Sequence, residues 1–292
     1  MTTSSLQMGR TEWLLLLLLS VLWGSSFLFM KIAVQYLPVF TVVLGRIGLA
    51  AILLTGVVYV QGLQLPVSLS QWGQLILLGF LRAGLPITLF VWAGTQIDSS
   101  VSGILNSTTP LFTVIIAHFF TQDERFQVSR LIGVLLGMIG IIVLIGPTAL
   151  QGLGKNVLAQ LAVLGATCSY GFAGVYGRRF SGTPVIVTTA GFLLGATLLI
   201  APLTLIIDHP WTLRPNTISV VSILALAILN TAIAFMVWLT LNLRAGANNT
   251  SQVTFLIPIM AILLGVVFLG EQVSWNAFLG LFFILAGLIV TQ

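Results

Sequence analysis

Runs of about twenty apolar residues, separated by short polar or Gly/Pro breaks, recur from one end of the chain to the other. A helix needs about 20 such residues to cross the hydrocarbon of a bilayer. A helix is also the expected spanning element, because it satisfies its own backbone where no water can. The pattern predicts ten spans. The first five are roughly 12–36, 38–60, 70–97, 99–121 and 128–146; the second five are roughly 155–178, 184–207, 217–242, 246–269 and 273–291. The connections are short, so no sizeable soluble domain is expected. The fold class is all-α integral membrane.

The two sets of five are related. Trp23, Gly24 and Lys31 match Tyr170, Gly171 and Arg178, while Glu124, Gly133 and Gly140 match Glu271, Gly280 and Gly287. Each pair is 147 positions apart, as 271 is from 124, and Pro110 and Pro258 differ from that spacing by one residue. Residues 1–147 and 148–292 are therefore expected to form two repeats. Five spans is an odd number, so the second repeat enters the membrane upside down. Inverted repeats of this kind are characteristic of transporters, whose substrate sites lie near the midplane between the halves.

Composition strengthens the membrane reading. Of 292 residues, 58% are hydrophobic and 6% charged, against about 25% charged in a soluble domain. Lys and Arg number 11 and Asp and Glu 6, for a net charge of +5. The basic residues form no stripe that would bind nucleic acid; they sit at span ends and set orientation. With the N-terminus inside, the inner face receives Arg10, Arg125, Arg130, Arg178, Arg179 and Arg244, and the outer face Lys31, Lys155 and Arg214. Both termini are thus expected in the cytoplasm, in an inner or plasma membrane. The single cysteine, Cys168, excludes an intrachain disulfide and a cysteine metal cluster. The apolar stretch after Arg10 continues to Tyr36, longer than the core of a cleaved signal, and reads as a first helix.

Depth singles out the candidate chemistry. At about 1.5 Å per residue, a position ten to thirteen residues into a span lies near the midplane. Trp23, Ser25, Ser26, Arg82, Asn106 to Pro110, Tyr170, Asn230, Thr231 and Pro258 share that level. Polar groups there are costly unless they face a bundle interior or water, which predicts a central solvated cavity. Arg82, in "LLGFLRAGLPITLF", has no carboxylate at its own depth. Its partners are helix carbonyls, the Asn106–Thr109 run, or the carboxylate of a substrate held by a bidentate bond. Arg46 lies nearer the outer face and reads as structural.

Trp23, Ser26, Asn106, Thr109, Tyr170, Asn230 and Thr231 complete the candidate substrate-binding set. The aromatic residues among them, with Trp92 and Trp238, either stack a substrate or hold an ammonium, or else pack the bundle. Pro86, Pro110 and Pro258 each remove a backbone donor and mark kinks or gates. Glu124 and Glu271 end the fourth and ninth spans and are candidates for capping or gating. His118, the one histidine inside a span, is the candidate for proton coupling. Gly133-x-x-x-Gly137 and Gly191-x-x-x-Gly195 permit close helix contacts.

"LWGSSF" at 22–27, Arg46 in "LGRIGLAAILL", and the matched endings of the halves carry a family resemblance. The endings are Pro110, Glu124 and "LIGVLLGMIGIIVLIG" at 131–146, then Pro258, "FLGEQVS" at 268–274 and "FLGLFFILAGLIV" at 278–290. Over nearly its whole length the chain resembles the EamA-type branch of the drug/metabolite transporter superfamily. The resemblance implies ten helices around a central cavity, alternating access, and export of small metabolites or amino acids. Two departures weaken symmetry between the halves: "TQDERF" replaces the family's Gly-Glu pair, and Leu193 stands where a second Arg46 would be.

The chain has no P-loop, no His-Glu-x-x-His and no Gly-x-Ser-x-Gly, so it carries no ATPase of its own and no recognisable hydrolytic centre. The expected function is a secondary active or facilitative carrier of a small metabolite such as an amino acid, not an enzyme, without cofactor or metal, acting as a monomer or homodimer in the lipid bilayer. The alternatives are an exchanger of phosphorylated metabolites or nucleotide sugars, which would want a basic cluster, and a multidrug or quaternary-ammonium exporter.

Overall fold

The computed structural model of the protein describes residues 8–97, 99–122, 127–145, 156–257, 259–260 and 275–290. These residues are helices and short connections, with no strand among them. The helices are α1 (Arg10–Ala33), α2 (Val39–Val60), α3 (Leu69–Ala93), α4 (Ser99–Asn106), α5 (Thr109–Phe120), α6 (Val128–Ile145), α7 (Val157–Gly177), α8 (Val185–Leu203), α9 (Thr217–Ser251) and α10 (Trp275–Val290). Among the described residues, six helical stretches are long and apolar enough to cross a membrane, and Val128–Val143 and Leu279–Val290 are shorter apolar helices.

Local chemistry sets the starts. Ser68 and Asn216 accept from the backbone N–H of Gln71 and Ser219 at the first turns of α3 and α9. Proline precedes α2 and α8 as Pro38 and Pro184, and opens α5 as Pro110. Three interior features depart from straight α-helix. In α3 a π-turn runs Phe80–Gly84, where the N–H of Leu85 reaches back to the carbonyl of Phe80. The next residue, Pro86, lacks the N–H that an α-helix would use. In α9 a π-turn runs Ile228–Ile233, which is 148 positions further on. The same helix breaks at Gly246, with φ 86° and ψ 169°, a conformation open to glycine. The sequence pattern ends its eighth span at 242 and starts its ninth at this glycine.

Polarity is arranged inside out relative to a soluble protein. Large apolar side chains such as Ile52, Phe119, Ile206 and Ile289 are exposed, whereas Arg46, Arg82, Asn230, Thr231 and Asn242 are buried. That is the distribution a lipid solvent selects. With its apolar helices, it describes a multi-pass membrane protein.

Three polar ties join helix ends. Glu12 caps α1 by accepting from Gly9 N–H at 3.1 Å and pairs with Arg244 at 3.6 Å. Asp208, just past α8, accepts from the N–H and hydroxyl of Thr41 in the first turn of α2, at 2.6 and 2.9 Å. Asn156, before α7, donates to the carbonyl of Gln96, after α3, at 2.6 Å.

Lipid tails are as apolar as leucine, so helix association in a bilayer rests on close packing. Glycine supplies it between α6 and α10. A Cβ on Gly140 would lie 2.7 Å from the Ile284 nitrogen and 2.8 Å from the Gly280 carbonyl oxygen. A Cβ on Gly287 would lie 2.5 Å from the Gly133 carbonyl oxygen and 2.7 Å from the Gly137 nitrogen. The numbers run in opposite directions along the seam, so α6 and α10 are antiparallel. Gly56, by contrast, has open space around it.

These contacts predict opposite outcomes for one substitution. Gly140→Ala should lower the thermal midpoint of the detergent-solubilised protein, by a destabilisation of about 1–3 kcal/mol. Gly56→Ala should leave it unchanged or raise it, because helix propensity favours alanine by about 1 kcal/mol. Equal midpoints for the two variants would contradict the packing described.

Candidate functional site

A central cavity lies between α1, α2, α3, the α4–α5 break, α7 and both parts of α9. The volume open to a water's centre is about 90 Å³, several times the ~10–15 Å³ that one ordered water needs. Its floor and walls are built around two arginines in different circumstances.

Arg46, from α2, is fully engaged. Its Nε donates to Thr231 Oγ1 at 2.8 Å, Nη1 to Ser26 Oγ at 3.0 Å and to Met30 Sδ at 3.4 Å, and Nη2 to the Asn230 carbonyl at 3.0 Å. The π-turn in α9 turns that carbonyl out of the helix towards Arg46. The Thr231 hydroxyl donates in turn to the Leu226 carbonyl, five residues back, at 2.7 Å. The Asn230 side chain donates to the Leu22 carbonyl and, at 2.9 Å, to Ser25 Oγ. Arg46, Asn230 and Thr231 therefore tie α9 to α1 and α2.

Arg82, from the π-turn of α3, is only 4% exposed and makes no hydrogen bond among the described residues. Its Nε is buried without a partner. Four aromatic rings surround the guanidinium carbon instead: Trp238 at 4.1 Å, Tyr170 at 4.6 Å, Trp23 at 4.7 Å and Phe235 at 5.2 Å from the ring centroids. Cation–π attraction keeps an ionised group tolerable in such surroundings and leaves its N–H donors unspent. The rings support one another. Tyr170 stacks on Phe90 at 5.9 Å, Trp23 meets Phe235 edge-on at 6.2 Å, and Phe192 wedges against Phe235 and Trp238.

The helix breaks around the cavity are sealed by hydroxyls. Ser107, Thr108 and Thr109 donate to the carbonyls of Ile104, Leu105 and Asn106 at 2.6, 2.6 and 2.8 Å. The last of these is the carbonyl that Pro110 would serve if it had an N–H. Thr88 covers the Gly84 carbonyl at 2.7 Å. In the second half, Thr250, Ser251 and Thr254 cover Gly246, Asn248 and Ser251 at 2.7, 2.7 and 3.0 Å. The Tyr170 hydroxyl and the Asn106 carboxamide make no hydrogen bond among the described residues.

Of the residues the sequence singles out, Arg82, Trp23, Ser26, Asn106, Thr109 and Tyr170 come together on the cavity wall. Asn230 and Thr231 are not lining residues; they are fully buried behind the wall and bonded to Arg46 and α1. Pro86 and Pro110 are buried at the restarts of α3 and α5. His118 sits on the exposed side of α5, away from the cavity, with its ring 5.0 Å from Phe119. Pro258, Glu124 and Glu271 lie outside the described residues.

Phe235 and Trp238 complete the cage, and depth reasoning passes over Phe235 altogether. The signal available was their spacing, three residues apart on one helix face. Thr250, Ser251 and Thr254 also line the cavity, from the polar run that precedes Pro258. Among the described residues, no group of His, Cys, Asp or Glu is arranged to hold a metal.

Comparison with known proteins agrees with this architecture. The chain is 24% identical over 277 residues to the uncharacterized transporter YoaV of Bacillus subtilis (strain 168), covering 93% of each protein. It is 23% identical over 300 residues to a protein of Escherichia coli (strain K12) named probable amino-acid metabolite efflux pump, covering 97% of this chain and 95% of that one. One crystal structure superposes with a TM-score of 0.80 at 21% identity, over 96% of this chain and 98% of that chain, so the fold is shared. The model of the EamA-like transporter family matches residues 11–146 and again 157–291. With both halves matched, this chain belongs to the EamA-like transporter family.

Proposed function

We propose that the protein is a secondary carrier that exports a small carboxylate-bearing metabolite by alternating access. Ten spans form two five-span halves, residues 1–147 and 148–292, inserted in opposite senses with both termini in the cytoplasm. It acts as a monomer or homodimer. The observation that carries the reading is Arg82: a buried cation with unspent donors on the wall of a central cavity. Amino acids and their carboxylate relatives are the metabolites the family resemblance suggests, and the relative named an amino-acid metabolite efflux pump supports both the class and the direction.

The inverted arrangement is supported by the α6–α10 seam. Gly280 and Gly287 are the repeat counterparts of Gly133 and Gly140. Exchanging the halves turns the contact Gly140–Gly280 into the contact Gly287–Gly133, and both are present. A two-fold axis in the membrane plane between antiparallel counterparts produces this exchange. The three polar ties agree. When spans alternate in direction, Glu12 and Arg244 share one face, and Thr41 with Asp208 and Gln96 with Asn156 share the other.

An exchanger of phosphorylated metabolites fits less well. A doubly charged phosphate calls for a basic cluster, and Arg46 is committed to the π-turn of α9.

Two outcomes test this reading. In proteoliposomes, Arg82→Ala should lower carboxylate flux about 100-fold, and Arg82→Lys, which keeps the charge but loses the planar fork, about 10-fold. Arg82→Met should leave the thermal midpoint unchanged or raise it, since the guanidinium it removes has no hydrogen bond to lose. Wild-type flux in all three variants, or a marked fall in the Arg82→Met midpoint, would assign the arginine a structural role.

Orientation is tested separately in a Cys168→Ser background. A membrane-impermeant thiol reagent applied to intact cells should modify Arg214→Cys but spare Arg244→Cys until the cells are opened. The reverse pattern would invert the topology.

A further inference from the structure

Among the described residues the cavity offers an ammonium group no charged partner and only neutral acceptors such as the Asn106 carboxamide and side-chain hydroxyls. A buried ammonium needs a carboxylate, unspent carbonyl oxygens or the face of an aromatic ring. Among the described residues no Asp or Glu lines the cavity. The two described acids are engaged at helix ends, Glu12 with Gly9 and Arg244 and Asp208 with Thr41. The carbonyls of Asn106, Gly246 and Ser251 at the helix breaks already accept from side-chain hydroxyls. The four rings best placed to hold a cation already hold Arg82. Arg46 lines the same space and adds a second positive charge.

What the wall does offer suits an anion with an apolar body. Arg82 presents unspent donors, and the Tyr170 hydroxyl and the Asn106 carboxamide are free of protein partners among the described residues. Around them stand ring edges and the aliphatic side chains of Ile87, Val253 and Ile257. We infer that the site selects organic monocarboxylates that carry no ammonium group, such as deaminated or N-acylated relatives of amino acids, and rejects the zwitterionic amino acids themselves. This rests on the reading that Arg82 receives the substrate carboxylate, and it narrows that reading by the other end of the molecule.

Selectivity of this kind follows from unfavourable groups as much as from favourable ones. A zwitterion brings its carboxylate to Arg82 at the cost of stripping water from an ammonium that meets two arginines and, among the described residues, no countercharge. The discrimination expected from an unpaired buried charge is on the order of 100-fold.

The test is a matched set of three ligands with one phenyl ring and one chain length: 3-phenylpropionate, phenylalanine and phenethylamine. Binding to the full-length protein in detergent is measured at neutral pH by titration calorimetry, and counterflow of each is measured in proteoliposomes. The inference expects 3-phenylpropionate to bind and exchange, phenylalanine to bind on the order of 100-fold more weakly, and phenethylamine not to bind. Phenylalanine binding as well as or better than 3-phenylpropionate, with both lost in Arg82→Ala, would overturn the inference and leave the role of Arg82 standing. Preference for phenethylamine, or binding of 3-phenylpropionate that is indifferent to Arg82→Ala, would overturn both. Failure of all three ligands in the wild-type protein counts against both as well.

Discussion

A backbone carbonyl that loses its helical partner inside a bilayer has no water to turn to, and much of this molecule is arranged around that constraint. The central helices depart from straight α-helix beside Pro86 and Pro110, which lack an N–H, and at Gly246, where glycine allows a positive φ. A bend releases carbonyls, and several of those near the bends have a side-chain donor. A nearby hydroxyl takes one of them, as Thr109 does for Asn106. Two are taken by the opposite half of the chain. The π-turn of α9 offers the Asn230 carbonyl to Arg46 of α2, and the π-turn of α3 offers the Leu81 carbonyl to Ser169 of α7, at 2.7 Å. The repeats solve one geometric problem with different chemistry, a guanidinium on one side and a hydroxyl on the other.

The contrast with Arg46 makes Arg82 informative. Placing an arginine at the centre of a span costs about 2.5–3.5 kcal/mol on insertion scales. Arg46 offsets such a cost with four acceptors, whereas Arg82 relies on aromatic faces alone. Each ring contact is worth roughly 0.5–2 kcal/mol depending on desolvation, so the cage is comparable in size to the insertion cost. The cage holds the charge without using its hydrogen-bond donors. An unspent donor set on a buried arginine in a cavity is a feature that folding alone does not require.

The fold was largely legible in the sequence because spans in lipid are a matter of length and composition. The helix starts at Val39, Val128, Val185 and Thr217 all fall within a residue of the apolar pattern, and the break at Gly246 was visible as a gap between two runs. The site was legible by depth but not by direction. Counting residues from the membrane surface brought Arg82, Trp23, Tyr170 and Asn106 to one level, and they do meet. The same count gave Asn230 and Thr231, which sit at that level but behind the wall. Successive helix residues turn by about 100°, and a π-turn adds a residue that rotates everything beyond it. No count along the chain reveals that rotation. The same rotation concealed Phe235, whose place in the cage depends on the phase of α9 after Ile233.

The repeat explains why the arginines are where they are and why they are not doubled. Leu193 is the counterpart of Arg46 and is fully buried beside Phe192, whose ring braces Phe235 and Trp238. A second arginine there would bring another charge into the core with no π-turn carbonyl left to receive it, since Ser169 already covers Leu81. Leu229 stands 147 positions from Arg82 and faces outward, 42% exposed, where an arginine would meet lipid. Arg82, the cavity guanidinium with no hydrogen bond among the described residues, belongs to the first half, and the rings around it come from α1, α7 and α9, so both halves of the molecule touch that charge.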